Sequence, residues 1–377
     1  MKRCIFRRVS IAVAMLAMAV FLGHLQLSEA EAQKTMKLKF QASWPSGLTL
    51  FDNFKMFAEK VKTMSGGRLE IETLPAGAVV GAFEVLDAVS RGVIDGGHSA
   101  PGYYTGKHWA AIPLSHGPLF GMDYIDMYGW YWEGGGWELL NEWYQKILKL
   151  NVVSFPVLPA GPQALGWFKR PVENWEDFKG FKIRIYGIGG DVFKEAGMTV
   201  VTLPGAEILP AAERGVIDAA EWVGGIEDLK LGFHNVWKHH YTPGMHESVT
   251  FGDVLINKAI WDKLDADLQE IIRTAAQATL FRWWVAWQKQ NANAYKEMVE
   301  KHGVTVHRTP DDILHTFLKT YDKILAEKVA ADPFTKRVVD SQREYAGLLV
   351  PYRRSTWPSY EFASDYYWKD KIFLKSK

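Results

Sequence analysis

The chain has 377 residues, and its 44 Lys and Arg residues nearly balance its 43 Asp and Glu residues, which gives a formal net charge of +1. This balance, and the lack of a basic run, exclude nucleic acid as a partner, because phosphate backbones are bound by an excess of positive charge. A chain of this length usually forms two domains, and its apolar content of 48% is sufficient for two hydrophobic cores.

The amino terminus has the layout of a secretory signal peptide. Basic residues precede an apolar run over 9–22, and the small residues Ala30 and Ala32 offer cleavage sites. The run is shorter than the roughly 20 residues that span a bilayer. We therefore predict that 1–32 is cleaved and that the mature protein is periplasmic. The only cysteine, Cys4, would leave with the peptide, so the mature chain would have neither disulfides nor a cysteine-bound metal.

Strand-like and helix-like patterns alternate along the rest of the chain. Residues 36–42 alternate in polarity as a strand does, and apolar residues at helical spacing follow in 50–64. Further strands are predicted at 69–74, 152–158, 165–169, 181–186 and 248–256. Further helices are predicted at 130–150, 265–301 and 310–331. Strands that alternate with helices in this way predict an α/β fold with mixed sheets.

One five-residue string occurs twice in the chain. Arg91–Asp95 and Arg214–Asp218 are identical, and each follows a helical pattern and leads into two small residues. The separation is too long for a solenoid period. It indicates two similar α/β lobes, and the cleft between such lobes is where a ligand is expected.

An arginine on a predicted strand is the first candidate for ligand binding. If 181–186 is a strand, Ile183 and Ile185 face the core and Arg184 faces the opposite side. Arginine is the side chain best suited to bidentate capture of a carboxylate. The alternative interpretation is a surface arginine on a half-exposed strand.

Two glutamates and an amide are further candidates. Glu221 follows the second copy of the repeat within an apolar run, and a buried carboxylate there has to be paired or bound to a metal. Gln163 lies beside a Gly-Pro turn at the predicted crossover between lobes, and Glu247 begins the returning segment. With Arg184, these side chains could hold an anionic ligand through a hard cation with oxygen ligands. No nucleophile has an evident base, so nothing in the sequence demands a catalytic site.

At these residues the sequence resembles the substrate-binding proteins of tripartite ATP-independent periplasmic (TRAP) transporters. The similar strings are Trp175–Arg184, Leu203–Pro204 and Arg214–Trp222, and the resemblance extends over essentially the whole mature chain. It implies a two-lobed periplasmic binding protein fold with hinge segments and a long helix that spans both lobes. It also implies the membrane subunits of a TRAP transporter as partners, and a binding protein rather than an enzyme.

The resemblance also assigns roles to residues. Arg184 matches the arginine that clamps the substrate carboxylate. The Glu-Trp pair at 221–222 resembles the pattern in one branch of the family. Proteins of that branch bind small 2-oxo or 2-hydroxy monocarboxylates, such as keto acids or lactate, together with a calcium or sodium ion. In that branch Glu221, the backbone carbonyl of Trp222 and Glu247 contact the cation.

Three further positions complete the implied pocket. Gln163 would contact the substrate or the ion, and the Trp222 side chain would form a wall. Tyr103 and Tyr104 resemble paired tyrosines that reach in from the first lobe.

The predicted boundaries divide the chain into two lobes, two helices and a tail. The first lobe comprises 33–157 and 250–264, and the second lobe comprises 158–249. The spanning helix and the helix after it occupy 265–331, and the aromatic tail occupies 332–377. One branch of the resembled family dimerises through its carboxyl-terminal helices, so the tail is a candidate homodimer contact. A monomer in which the long helix serves as a spine is the alternative.

Two other classes of protein are kept as alternatives. A sugar-binding protein of an ATP-driven importer would explain the 16 tryptophans, but it gives Arg184 and Glu221 no shared task. A secreted hydrolase would use Glu221 and Glu247 as paired acids. The nearby arginine argues against it, because a cation opposes a protonated carboxyl group.

Overall fold

The computed structural model describes residues 35–369, so the predicted signal peptide and the last eight positions of the tail lie outside the described residues. Within this range the chain folds into twelve strands. They are β1 (Met36–Ala42), β2 (Leu69–Leu74), β3 (Gly96–Ser99), β4 (His116–Gly117), β5 (Val152–Ala160), β6 (Gly166–Phe168), β7 (Lys182–Arg184), β8 (Thr199–Val201), β9 (Ala219–Ala220), β10 (His239–Thr242), β11 (Val249–Asn257) and β12 (Thr305–Arg308).

Twelve α-helices accompany the strands in the described part of the chain. They are α1 (Thr49–Met64), α2 (Val85–Ser90), α3 (Tyr124–Glu133), α4 (Gly136–Glu142), α5 (Gly187–Glu195), α6 (Gly205–Glu213), α7 (Gly225–Leu231), α8 (Lys258–Trp261), α9 (Ala266–His302), α10 (Asp311–Ala331), α11 (Pro333–Thr356) and α12 (Tyr360–Trp368). None of them is long and apolar enough to cross a membrane.

The strands form two mixed sheets, one in each lobe. In the first sheet β2, β1 and β3 are parallel, β11 runs antiparallel to β3, and β4 and β5 both pair with β11. In the second sheet β8, β7 and β9 are parallel. Strand β6 pairs antiparallel with β9, and β10 pairs antiparallel with β6. Strand β12 closes the second sheet beside β10. The predicted α/β fold with mixed sheets is therefore confirmed.

The repeated string performs the same structural task in both lobes. In the first lobe, the Asp95 amide donates to the Lys39 carbonyl at 2.9 Å and the Lys39 amide donates to the Asp95 carboxylate at 2.7 Å. In the second lobe, Asp218 and Lys182 make the same two bonds at 2.7 and 3.1 Å. The identical strings thus fasten β3 to β1 and β9 to β7, so the two lobes carry the same parallel three-strand core.

Helix α9 connects the two lobes. Its 37 residues correspond to about 55 Å at the usual rise of an α-helix. It packs against α1 and β5 of the first lobe and against α7 of the second. Trp283 and Trp287 are buried in these contacts, whereas Phe281 is exposed. The prediction of a long helix that spans both lobes is confirmed.

Some predicted elements differ from the structure. The pattern at 130–150 predicts a helix that starts after a loop at the glycines 134–136, whereas the structure has a helix on each side of Gly134–Gly135, where Gly135 has a φ of 79°, a left-handed conformation that separates α3 from α4. Strand β12 has no counterpart among the predicted elements, because Thr305–Arg308 has only four residues, too few for a clear periodic pattern. It brings a segment assigned to the spanning helices into the second sheet.

Candidate functional site

Arg184 lies at the carboxyl end of the central parallel strand of the second lobe. It is fully buried on β7, in register with Val201 of β8 and Ala220 of β9. Its Nε atom donates to the Leu203 carbonyl at 3.0 Å. Its Nη1 atom donates to the Glu221 carbonyl at 2.6 Å and lies 3.2 Å from the Glu221 carboxylate. These bonds fix the guanidinium, and its Nη2 atom is buried without a partner.

The repeat shows how the two lobes differ at this position. Arg184 pairs with Ala220 in the second lobe, and the equivalent pair in the first lobe is Gln41 with Gly97. The next residue is Glu221 in the second lobe and His98 in the first. Burial lowers the pKa of His98 to about 3, so that imidazole is neutral. The ion pair therefore belongs to the second lobe alone.

Two buried carboxylates face the single arginine. Glu221 and Glu247 are 1% and 0% exposed. Burial, and then the charge of Glu247, raise the pKa of Glu221 well above its usual range, while Arg184 opposes this. Burial raises the pKa of Glu247 to about 7. With both carboxylates ionised the site has an excess of negative charge, and an anionic ligand would add to it.

Glu247 is held by the segments that cross between the lobes. The Gln163 amide Nε2 donates to its Oε2 atom, and the Thr250 hydroxyl donates to the same oxygen at 2.5 Å. The Tyr186 hydroxyl also contacts Glu247, and these contacts lower its pKa against the effect of burial. The backbone N–H of Gln163 also donates to the backbone carbonyl of Glu247 at 3.0 Å. The crossing segments thus position both side chains.

Three oxygen atoms at this place are buried without a hydrogen-bond partner: Gln163 Oε1, Glu221 Oε1 and Glu247 Oε1. A buried acceptor without a donor is costly. Among the described residues no group of three or more His, Cys, Asp or Glu side chains could hold a metal. A cation here would therefore use two carboxylates with amide or backbone oxygens, a set that suits the hard cations calcium and sodium. The residues present fit such an ion.

The pocket between the lobes has an aromatic and largely apolar wall. Trp222 is fully buried, and its ring centroid lies 4.8 Å from the Arg184 guanidinium carbon. The first-lobe residues of the described chain that line this cavity are uncharged. The cavity is lined by Trp44, Leu50, Ala100, Tyr103, Leu158, Ala160, Gln163, Tyr186, Trp222, Val223, Thr250 and Gly252.

The two adjacent tyrosines have different positions. Tyr103 lines the pocket, and burial is the first cause that raises its pKa, with Arg184, Glu221 and Glu247 all close enough to act on it. Tyr104 points into the core of the first lobe, where its hydroxyl is 2.7 Å from Ser99 Oγ. The expectation that both tyrosines reach the pocket is wrong for Tyr104. The two residues share a 3₁₀ turn, Pro101–Tyr104, which separates neighbouring side chains by about 120°.

The structure therefore brings together Gln163, Arg184, Glu221, Trp222, Glu247 and Tyr103, and it adds pocket residues that the sequence did not single out. Tyr186 lies two positions after Arg184, just beyond the end of β7, and the alternation of the strand predicted at 181–186 was a signal for it. Trp44 and Thr250 had no such signal.

Comparisons with known proteins identify the family. The family model described as bacterial extracellular solute-binding protein, family 7, matches residues 40–332. The chain belongs to this family. It is also 33% identical over 330 residues to the monocarboxylate 2-oxoacid-binding periplasmic protein of Nostoc sp., an alignment that covers 87% of this chain and 89% of the relative. Family 7 proteins are extracytoplasmic solute-binding proteins of transport systems, which confirms the resemblance to TRAP binding proteins.

Solved structures of TRAP solute-binding proteins have the same fold. One from Bordetella bronchiseptica, a mixed-occupancy dimer with copurified calcium and picolinate in its active site, has a TM-score of 0.82 and 27% identity and covers 89% of this chain and 97% of its own. One from Pseudoalteromonas atlantica, with bound sodium and pyruvate, has a TM-score of 0.81 and 31% identity. The match covers 90% of this chain and 100% of that protein. The predicted two-lobed binding-protein fold of this family 7 chain is confirmed.

Proposed function

We propose that this family 7 protein captures a small 2-oxo or 2-hydroxy monocarboxylate together with a calcium or sodium ion and delivers it to the membrane subunits of a TRAP transporter. The observation that carries the proposal is the presence of one buried, unpartnered guanidinium nitrogen and three buried, unpartnered oxygens on residues that interact with one another beside the pocket residue Tyr103. A carboxylate supplies acceptors for the nitrogen, and a cation supplies the charge that the oxygens need.

Arg184 would bind one carboxylate oxygen of the ligand through its Nη2 atom. The remaining guanidinium nitrogens are already bonded to Leu203 and Glu221, so the free nitrogen has a fixed direction. Such a charge-assisted bond gains strength in a site that excludes water. Trp222 packs against the guanidinium and closes one side of the pocket.

Glu221, Glu247 and Gln163, with the Trp222 backbone carbonyl, would hold the cation. Bound there, the ion would offset the negative charge of the site and attract the oxygen atoms of the ligand. A second oxygen at the carbon beside the carboxylate would then distinguish 2-oxo and 2-hydroxy acids from simple carboxylates. The uncharged wall formed by Trp44, Leu50 and other first-lobe residues suits a short apolar tail.

The named ligands of similar proteins agree with this chemistry. The Nostoc relative is named for 2-oxo acids, and the two solved structures carry pyruvate or picolinate with sodium or calcium. Pyruvate and picolinate each have a donor atom beside the carboxylate. A sugar has no carboxylate for Arg184, so the sugar-binding alternative leaves the buried charges unexplained.

The protein acts as a binding protein rather than as an enzyme in this proposal. A glycoside hydrolase needs one carboxyl group protonated to donate a proton and a second one ionised. Here both Glu221 and Glu247 are under the influence of Arg184, which favours their ionised forms, and each has an unpartnered oxygen suited to a cation. Residues 1–32 would direct export to the periplasm and be removed there.

A homodimer formed through the carboxyl-terminal helices is also part of the proposal. Helix α12 has no buried residue, and five of its aromatic side chains are between 57% and 88% exposed. A groove of about 1030 Å³ runs beside its start, lined by Phe120, Tyr124, Met245, Trp284 and Tyr321, with Tyr360 at its edge. The helix of a second copy would cover such apolar surface.

A thermal-shift screen tests the proposed ligand class. In buffer with calcium and sodium, pyruvate and lactate should raise the melting temperature, because they bind only the folded protein. Propionate lacks the second oxygen and serves as the matched control, and glucose represents the sugar alternative. A shift with glucose, or an equal shift with propionate and pyruvate, would refute the proposed ligand class.

A further inference from the structure

A carboxylate of the second lobe caps a helix of the first lobe. Helix α1 begins after Leu48, whose side chain provides no cap. Instead the Thr49 amide donates to Glu227 Oε2 at 3.1 Å, and the Thr49 hydroxyl donates to Glu227 Oε1. Glu227 lies in the first turn of α7, which follows β9 of the second sheet. The cap therefore crosses from one lobe to the other.

A second contact lies one helical turn further along α7. The Lys230 Nζ atom donates to the Gly47 carbonyl at 2.9 Å. Both contacts lie at the rim of the ligand pocket, because Leu50 and Val223, close neighbours of these residues in the chain, line the cavity from the two lobes. The two bonds thus join the lobes beside the place where the ligand is enclosed.

The Glu227 contact is buried, and its hydrogen bonds offset part of the cost of burying the carboxylate. Glu227 is 0% and Thr49 is 4% exposed. Burial raises the pKa of Glu227 to about 7, and the two bonds from Thr49 lower it, so these donors favour the ionised form. A negative charge at the N-terminus of a 16-residue helix is also stabilised by the helix dipole. If the lobes separated, α1 would lose its cap and Glu227 would need water in place of Thr49.

We propose that Glu227 is a closure latch, a positioning residue that stabilises the closed cleft by capping helix α1 across the gap between the lobes. Lys230 assists through Gly47. The latch touches no ligand atom, so it sets how long the cleft stays closed and not which acid is chosen. This inference rests on the proposed function only in that the closing cleft encloses the ligand.

Thiol labelling measures the latch without a ligand. In a Cys4→Ser background, Ala100→Cys places one thiol in the cleft, where Ala100 is 6% exposed. A maleimide reaches this thiol only when the lobes open. Loss of a helix cap is expected to increase the open fraction about tenfold. Glu227→Ala should therefore speed labelling about tenfold, and Glu227→Gln, which keeps one acceptor oxygen, should speed it less.

Two controls separate opening from general loss of stability. A thiol at Ala276, which is buried in α9, reports unfolding, and its labelling should not change in Glu227→Ala. Glu213→Ala, an exposed position of the second lobe, should leave both rates unchanged. Equal labelling at position 100 in the parent and in Glu227→Ala, or equal acceleration at positions 100 and 276, would overturn the latch.

The same labelling experiment with ligand added distinguishes a failure of the latch from a failure of the proposed function. Pyruvate with calcium should slow labelling at position 100 in the parent, and Glu227→Ala should lose much of this protection. If pyruvate gives no protection while Glu227→Ala still labels faster in the absence of ligand, the latch stands and the proposed ligand is wrong.

Discussion

The Nη1 atom of Arg184 lies 2.6 Å from the backbone oxygen of Glu221 and 3.2 Å from its carboxylate, so one nitrogen of the guanidinium is shared by two oxygens of the same residue. This arrangement leaves Nη2 free and leaves Glu221 Oε1 without a donor. The ion pair is therefore only half satisfied by the protein, and its other half is available to a ligand and a cation.

Replacement of Arg184 is expected to abolish tight binding of pyruvate. Loss of a buried, charge-assisted bond lowers affinity by at least about thirtyfold. Arg184→Lys retains the charge but not the fork of nitrogens, so it should bind more weakly than the parent and more tightly than Arg184→Ala. Calorimetry measures the affinities, and circular dichroism verifies the fold. Arg170→Ala, at an exposed arginine of the same lobe, is the control. Unchanged affinity in Arg184→Ala would refute the clamp.

Replacement of Glu247 by Gln is expected to have opposite effects on binding and on stability. The cation loses a charged ligand, so calcium-dependent pyruvate binding should weaken at least about tenfold. The ligand-free protein loses a buried charge next to Glu221, so its melting temperature at pH 8 should rise. Thermal melts with and without calcium and pyruvate measure both effects, with the exposed Glu213→Gln as control. A variant with full binding would remove Glu247 from the cation site.

Ligand binding is expected to weaken as the pH falls below about 7. Burial raises the pKa of Glu247 to about 7, so this carboxyl group takes up a proton at lower pH in the free site. A cation binds only the ionised form, and each pH unit below 7 then lowers the apparent affinity by up to about tenfold. Calorimetry at pH 8, 7 and 6 with fixed calcium measures the slope. A constant affinity over this range would contradict the assignment.

Asp253 is expected to make the stability of the ligand-free protein depend on pH. Its carboxylate accepts bonds from Ser154 and Tyr144 at 2.6 and 2.8 Å, yet burial raises its pKa to about 7. A pKa that is higher in the folded than in the unfolded chain gives stability that is present below the unfolded pKa, near 4, and is lost as the pH rises through 7.

The substitution Asp253→Asn removes this titration. Relative to the parent, the variant should therefore gain stability between pH 5 and pH 7.5, by up to about 3 kcal/mol. Urea unfolding at the two pH values measures the difference. The same difference in unfolding free energy at both values would show that Asp253 titrates normally.

Removal of helix α12 is expected to convert a dimer into a monomer. Its exposed aromatic side chains would otherwise be covered by a second copy of the chain. Multi-angle light scattering of the full mature chain and of a variant that ends at Thr356 tests this, and pyruvate binding serves as the control for folding. A full-length monomer at micromolar concentration would contradict the homodimer.

The sequence alone predicted the architecture and much of the site for identifiable reasons. The repeated string Arg-Gly-Val-Ile-Asp marks the same two bonds in each lobe, so it located two similar lobes. The alternation of its strand made Arg184 a candidate by placing apolar neighbours on the opposite face, but only the resemblance to TRAP binding proteins assigned it the role of a clamp. Tyr104 was assigned wrongly, because the local 3₁₀ turn that directs it into the core depends on packing rather than on composition.

Contacts between distant segments could not be predicted. Thr49 and Glu227 are 178 positions apart, and neither belongs to a recognisable motif. Trp44 and Thr250 enter the pocket only because the lobes meet, and β12 pairs with β10 only because α9 carries the chain back to the second sheet. Such positions follow from tertiary structure, which local periodicity does not encode.

Calorimetric titration of pyruvate in metal-free, sodium-free buffer, repeated after addition of calcium or of sodium, tests the shared role of the arginine and the cation most directly. The buried oxygens of Glu221, Glu247 and Gln163 predict that pyruvate binds tightly only when one of these ions is present. Equal affinity with and without the ions would contradict the proposal that the ligand is held jointly by Arg184 and a bound cation.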